Sequence, residues 1–157
     1  MKTGLKIFVF FACIATSYGQ VPQLTFEDLE PRLYTESDSL YIVNFWATWC
    51  IPCIKELPEF EKINEEYSDR GVKVLLVSLD NPDHMESRLL PFISKHKLKS
   101  EIVLLDDPRS NRWIPMVDES WSGAIPATII FTKNSRSFYE KVFTYEELEN
   151  LVRSKLN

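Results

Sequence analysis

Apolar residues change their spacing several times along this chain, and each change marks an element. Between Thr25 and Tyr34 the apolar positions Phe26, Leu29 and Leu33 stand three and four apart, which predicts a helix, and Glu36-Ser37-Asp38 then forms a polar turn. Leu40 to Trp46 runs almost without alternation and reads as a strand buried on both faces. From Ile51 to Ser68 the spacing of three and four returns at Ile54, Leu57, Phe60, Ile63 and Tyr67, so a helix follows the strand directly, and Gly71 supplies its stop. Val74 to Leu79 is a second buried run. Strand, helix and strand in this order imply a right-handed crossover and parallel pairing, the centre of an α/β fold.

The second half is more broken. Met85 to Lys97 predicts a helix with Leu89, Phe92 and Ile93 inward, Ile102 to Leu105 a short strand, and Asn111 to Val117 a short helix. Ala127 to Phe131 and Phe138 to Phe143 flank the polar turn Lys133-Asn134-Ser135 and predict an antiparallel hairpin. Tyr145 to Leu156 closes the chain as a helix, with Thr144 and Glu147 at capping-box spacing. No internal repeat, low-complexity tract or linker divides the chain.

The first residues belong to a different kind of segment. Lys2 and Lys6 precede the apolar run Ile7 to Ala15, and Ser17 and Gly19 stand three and one residues before a cut, the pattern of a secretory signal peptide over residues 1–19. A membrane-spanning helix would need about 20 apolar residues, roughly twice what is present before Thr16. A lipoprotein acylated at Cys13 is the less favoured alternative, because Phe10-Phe11-Ala12 fits poorly before it and the apolar run would be cut short. The expected mature chain, residues 20–157, is a single periplasmic or secreted domain. Its 45% hydrophobic and 13% aromatic content, counted over the whole chain, argues against disorder. Loss of Lys2 and Lys6 moves the formal charge from −5 to −7. An acidic chain without a basic run gives no electrostatic reason to bind nucleic acid.

Cysteine usage narrows the chemistry. The chain has 3 cysteines, and with Cys13 removed only Cys50 and Cys53 remain, inside Asn44-Phe-Trp-Ala-Thr-Trp-Cys-Ile-Pro-Cys53. That excludes a general disulfide framework. A bridge at this spacing would close a four-residue loop worth about 2 kcal/mol, a weak structural reason for it to exist. Cys50 falls where the strand meets the first turn of the helix. There, unpaired N–H groups and the positive end of the helix dipole favour a thiolate and should lower its pKa from the free value of about 8.5. Cys53, one turn later, is close enough to attack a mixed disulfide at Cys50. Pro52 suits the first helical turn.

Other readings of the pair stay open at this point. Zinc normally takes four ligands, and His84 and His96 lie in a separate segment. Haem attachment needs His after the second Cys, where Ile54 stands. An inert structural disulfide and a peroxidase are further alternatives, the latter lacking neighbouring hydroxyl and arginine partners. No metal or organic cofactor is implied.

The stretch from Asn44 to Cys53 resembles the thioredoxin-like family, in its extracytoplasmic TlpA/ResA-type branch, and the likeness extends over about Leu40 to Leu156. Pro58, five residues after Cys53, matches that family's helix-kinking proline. Gly123 to Phe131, GAIPATIIF, resembles the segment that carries its cis-proline, and the helix and strand between Asp83 and Leu105 resemble the branch's insertion. The resemblance implies a thioredoxin fold, a central mixed β-sheet with helices on both faces and an inserted helix-strand unit. It also implies that Pro126 is cis and faces the cysteines, with the Ile125 backbone offering an edge to a substrate peptide. By the same resemblance Trp49 covers the disulfide and Trp46 packs beneath it. From the residues alone, Pro126 could equally begin a strand.

Asn44 departs from classical thioredoxin, which has a buried aspartate there. Glu56 is the candidate acid in its place: it lies on the inward side of the helix, no cation occupies the positions three or four away, and related chains resemble this one in carrying it. A partly buried carboxyl would have a raised pKa and could relay the proton of Cys53; a solvated surface glutamate is the bland alternative. Trp113, Trp121, Phe138 and Tyr139 read as packing, and His84 and His96 as solvated residues.

The expected function is a thiol:disulfide oxidoreductase acting on protein disulfides, monomeric, with catalytic Cys50, Cys53 and Glu56, the Cys50/Cys53 redox pair, and substrate contacts at Trp49, Ile125 and Pro126. Ile51 and Pro52 offer the thiolate no charged or hydrogen-bonding side chain, unlike the histidine of strongly oxidising relatives, so reduction is favoured. A membrane thiol transporter would return the electrons, and cytochrome c precursors or other envelope proteins would be substrates. The alternative is a peptide-binding module with an inert disulfide.

Overall fold

The computed structural model describes residues 21–156; the expected signal peptide and Cys13 lie outside the described residues. Six strands form one mixed sheet in the order β1-β4-β3-β2-β5-β6. They are β1 (Gln23–Leu24), β2 (Leu40–Trp46), β3 (Val72–Ser78), β4 (Glu101–Leu105), β5 (Ala127–Thr132) and β6 (Ser135–Tyr139). The helices are α1 (Phe26–Leu29), which continues as a 3-10 turn over Glu30–Leu33, α2 (Ile51–Tyr67), α3 (Leu90–His96), α4 (Ser110–Val117) and α5 (Tyr145–Leu156).

Central strand β2 explains the arrangement. It pairs in parallel with β3 from Leu40↔Val72 to Trp46↔Ser78, and antiparallel with β5 from Tyr41↔Phe131 to Phe45↔Ala127. Helices cover both its faces, so alternation disappears from its sequence while it persists in space. Leu40, Ile42 and Trp46 join a core with Cys53, Leu57, Phe60 and Ile63 of α2 and Leu148 and Val152 of α5. Val43 and Phe45 join a second core with Phe26, Leu29, Trp113, Trp121 and Phe131. Asn44 and Thr128 are register partners in neighbouring strands.

Local chemistry accounts for most boundaries. Gly71 takes φ 81°, a left-handed conformation, at the turn from α2 into β3. Thr144 and Glu147 form the reciprocal capping box of α5: the Glu147 N–H donates to Thr144 Oγ1 at 3.3 Å and the Thr144 N–H to Glu147 Oε2 at 3.1 Å. The helix expected over Met85–Lys97 is instead a π turn over Met85–Leu89 followed by α3. Pro91 has no N–H for an α-helical bond back to Ser87, and a wider turn before it accommodates the ring. Leu89 is buried, while Phe92 and Ile93 are half-buried.

The second hairpin strand differs from the expected Phe138–Phe143. It is β6, because a tight turn at Lys133-Asn134 brings Ser135 opposite Thr132 and fixes the register through Thr128↔Tyr139. Its polar residues suit a sheet edge. Phe143 lies beyond the strand, edge-on to Phe60 at 6.4 Å between ring centroids. Two-residue β1, parallel to β4, has no counterpart among the predicted elements. Among the described residues no helix is long and apolar enough to cross a membrane.

Candidate redox site

Cys50 is the N-cap of α2, in extended conformation at φ −87° and ψ 98°, and its Sγ accepts the Cys53 N–H at 3.3 Å. A sulfur thus fills the position usually held by a capping oxygen and meets one of the helix's unpaired donors. The first turn holds Pro52 and no acidic side chain, so no carboxylate offsets the positive end of the dipole. Cys50 and Cys53 are joined in a disulfide with Cα atoms 5.3 Å apart. Their surroundings differ: Cys50 is 5% exposed and Cys53 fully buried. Trp49 at 58% and Ile51 at 67% flank the outer sulfur as exposed apolar side chains, while Trp46 is buried and packs on Phe92.

The loop before Cys50 is anchored from β3. Buried Asp80 accepts the Thr48 N–H at 3.0 Å, the Thr48 hydroxyl at 2.5 Å and the Ser78 hydroxyl at 2.9 Å. Sequence reasoning passed over Asp80. Its signal was a carboxylate just past the second buried strand, beside the strand end that carries the cysteines.

Opposite the disulfide, the Ile125–Pro126 peptide is cis, as the family resemblance implied. Pro126 is buried, and the Ile125 carbonyl oxygen lies 3.7 Å from Cys50 Sγ. Trp121 Nε1 donates to the Ala124 carbonyl at 2.7 Å, and Ser122 donates through its N–H and its hydroxyl to Glu140 at 2.9 and 2.5 Å. Gly123 between them takes φ 91°. Trp121 itself is buried against Phe45, Trp113 and Phe138, so its ring belongs to the core while its N–H holds the loop.

Glu56 is 1% exposed, one turn of α2 beyond Cys53. Its Oε1 accepts Asn44 Nδ2–H at 2.9 Å and its Oε2 accepts the Phe143 N–H at 2.7 Å. Burial pushes its pKa from the usual carboxylate range up to about 7, against the pull of those two bonds. The solvated alternative for Glu56 is thereby overturned. Asn44 Nδ2 also donates to Thr128 Oγ1 at 3.1 Å. Of the histidines, His84 is exposed and His96 stacks on Phe92.

Two grooves, of about 590 and 730 Å³, lie along α2 and α3, and neither is lined by Trp49, Cys50, Ile125 or Pro126. Only Cys50 reaches the surface, between exposed Trp49 and the Ile125–Pro126 segment, a setting suited to a partner's chain.

Residues 19–136 match the AhpC/TSA family, and the chain belongs to that family. Among curated relatives, thiol-disulfide oxidoreductase ResA of Halalkalibacterium halodurans is 28% identical over 149 residues, spanning 91% of this chain and 78% of the relative. ResA of Bacillus cereus is 25% identical over 140 residues, spanning 85% and 75%. Of solved structures, StoA from Bacillus subtilis aligns with a TM-score of 0.58 at 25% identity over 74% of this chain and 84% of that one. A thioredoxin family thiol:disulfide interchange protein from Chlorobium tepidum aligns with a TM-score of 0.65 at 17% identity over 82% and 85%, a likeness of fold. The fold is that of thioredoxin, and the chain is an enzyme of the thiol:disulfide oxidoreductase kind.

Proposed function

We propose that the protein is an extracytoplasmic reductase of protein disulfides in which Cys50 attacks, Cys53 resolves and Glu56 receives the resolving thiol's proton. The observation that carries this reading is the unequal burial of the two sulfurs, with a buried carboxyl lacking any cation one turn from the sealed one. In the reduced enzyme the Cys50 thiolate attacks a substrate disulfide, forming an intermolecular S–S bond and releasing one substrate thiolate. Cys53 passes its proton to the Glu56 carboxylate, and its sulfur then attacks Cys50. The intramolecular bond forms, the mixed disulfide breaks, and the second substrate thiolate leaves. Trp49 and the Ile125–Pro126 backbone form the surface on which the substrate chain lies.

Reduction is the direction that the uncharged Ile51-Pro52 pair supports, since neither side chain stabilises a Cys50 thiolate by charge or hydrogen bond. The oxidised pair then needs two electrons from a donor, for which a membrane-embedded thiol transporter is the proposed source. We place the enzyme in the periplasm or outside the cell, delivered by a signal peptide over residues 1–19 and acting as a monomer. Envelope proteins, cytochrome c precursors among them, are the proposed substrates.

Insulin reduction with dithiothreitol tests the reaction: turnover should be lost in Cys50→Ser, and an unchanged background rate in both proteins would make the disulfide inert. Equilibration with a thiol buffer tests the direction. A reduction potential below about −200 mV supports a reductase, and one near about −120 mV, the value of a strong oxidant, would reverse it. A Cys53→Ser variant expressed in the native host should retain substrates through Cys50.

A further inference from the structure

Asp80 is a buried carboxyl that the proposed reaction does not use. It is 3% exposed, two residues past the end of β3, and its side chain meets the loop between β2 and α2. Oδ2 accepts the Thr48 N–H at 3.0 Å and the Ser78 hydroxyl at 2.9 Å, and Oδ1 accepts the Thr48 hydroxyl at 2.5 Å. Ser78 Oγ in turn accepts the Asp80 N–H at 3.1 Å, which fixes the carboxyl to its own strand end. The two donors of one residue, main chain and side chain, are thus gripped by the two oxygens of one carboxyl. Asparagine has a single acceptor oxygen to offer them, and glutamate sets its oxygens one methylene further out.

Thr48 is the second residue of a turn that the Cys50 N–H closes on the Ala47 carbonyl at 3.1 Å, and Trp49 and Cys50 are the last two. Just before it, the Trp46 carbonyl is held by the Leu79 N–H at 2.8 Å; just after it, the Cys50 carbonyl accepts the Ile54 N–H at 3.0 Å and enters α2. Between these ends Thr48 is the corner fixed from β3, and the exposed indole and the outer sulfur project from it. In the oxidised chain the S–S bond also ties Cys50 to Cys53. The reduced chain, which is the attacking form, lacks that tie, and the turn then carries more of the geometry.

We propose that Asp80 is a positioning residue: through Thr48 it sets the direction from which Cys50 Sγ meets a disulfide, beside the Ile125 carbonyl 3.7 Å away, and so governs the exchange steps rather than the ionisation of the thiol. The proposal rests on the reading of Cys50 as the attacking sulfur. Exchange brings three sulfurs near one line, first when Cys50 attacks the substrate and again when Cys53 attacks Cys50, so a small misplacement of Cys50 is felt in both steps. Thiolate formation is favoured by the N-terminal end of α2, whereas the side-chain bonds of Asp80 go to Thr48 and Ser78.

Two reactions of the reduced enzyme separate alignment from ionisation. Reduction of oxidised glutathione needs the sulfurs in line; alkylation of Cys50 by iodoacetamide, followed between about pH 5 and pH 9, needs only an accessible thiolate. In Asp80→Ala the first should fall by about tenfold or more, with the alkylation rate and its pH profile within about twofold of wild type. Thr48→Val, at a half-buried position, keeps the N–H bond and loses the hydroxyl, and should show a smaller loss of the same kind. Thr48→Ser keeps both donors and should restore exchange to the wild-type rate, and Asp80→Ala combined with Thr48→Val should be no slower than Asp80→Ala alone. Should Asp80→Ala not fold, the contrast between Thr48→Val and Thr48→Ser decides alone. Exchange and alkylation that fall together would mean that the carboxyl only keeps the site folded, and exchange unchanged in both Asp80→Ala and Thr48→Val would leave it a strand-end cap. An Asp80→Asn variant that exchanges normally while its alkylation profile moves would assign the residue to the electrostatics of the thiolate. Each of these three results overturns the proposal and leaves the Cys50 reading standing, whereas a wild-type chain that reduces neither glutathione disulfide nor insulin takes both down.

Discussion

The two cores on either side of the sheet are built from the same strands and do opposite things. The layer beneath α1 and α4 packs Phe26, Phe45, Trp113, Trp121 and Phe131 together, and its buried indole N–H groups are met by carbonyls, Trp113 by Asp107 and Trp121 by Ala124. The layer beneath α2 and α5 admits Glu56 and Asn44 among its aliphatic and aromatic residues, and the buried polar atoms without partners among the described residues, Asn44 Oδ1, Trp46 Nε1 and Ser100 Oγ, lie on this side of the sheet. Buried polar groups without full pairing cost stability, and two of them, on Asn44 and Trp46, belong to the strand that leads to Cys50. One layer is a mould that holds the cis-proline loop; the other carries the proton chemistry at a structural cost. Strand alternation alone separates them, since Val43 and Phe45 point one way and Asn44 and Trp46 the other.

The largest expected effect lies where the chemical layer reaches the surface. Cys50→Ser should reduce insulin reduction to the uncatalysed rate, as Cys53, the other cysteine among the described residues, is fully buried and does not reach a substrate disulfide in place of the attacking sulfur. Next comes the mould. Trp121→Ala removes a buried indole and the hydrogen bond to Ala124, and should cost about 3–5 kcal/mol of unfolding free energy in denaturant titrations. The same variant should raise the KM for a protein substrate through the loosened 122–125 loop, while the pH response of Glu56 stays as in wild type. A shifted response would mean that the two layers are coupled through the sheet.

Glu56→Gln should do the reverse of Trp121→Ala. The Glu56 pKa is about 7 in the folded chain against an ordinary 4.5. Between those pH values the folded chain holds a proton that the unfolded chain has released, so wild-type stability falls as pH rises through that window and is level above it. The full difference corresponds to about 3 kcal/mol. The variant lacks this titration and, in the oxidised state, should gain on wild type by up to that amount between about pH 5 and pH 8, measured by denaturant unfolding at each pH. Asp107, held near 2 by Arg109, changes stability only at lower pH and with opposite sign. A constant difference between variant and wild type across the window would refute the raised pKa.

What the sequence disclosed follows from how local each signal is. The bounds of β2 agree with the expected Leu40–Trp46, because an uninterrupted apolar run ends at a polar loop, and the start of α5 is encoded by two side chains three residues apart. The inward position of Glu56 was legible from helical spacing and from the absence of a neighbouring cation. Its partners were not, since the Phe143 N–H comes from 87 positions away. The expected strand over Phe138–Phe143 failed because aromatic residues drew the assignment, whereas a two-residue turn sets the pairing and the edge strand is polar. Asp80 acts through a tertiary contact with the Thr48 segment and the Trp121 N–H through a loop contact with Ala124, and neither has a periodic signature.

The smallest expected effect on stability falls on the residue most visible in the motif. Trp49 is 58% exposed, so its truncation removes little buried apolar area, and Trp49→Ala should change unfolding free energy by no more than about 0.5 kcal/mol. Its role is on the outside, where an exposed indole beside Cys50 offers apolar area to an incoming chain. An aromatic anchor of this kind is worth on the order of 1–2 kcal/mol in binding, which predicts a roughly tenfold higher KM for a protein disulfide. A small disulfide such as oxidised glutathione makes less contact with the ring, so its rate should change much less. Equal losses for both substrates would mean that the indole acts on the sulfur itself, through the electrostatics of the Cys50 thiolate, and Trp49 would then belong with Glu56 rather than with the docking surface.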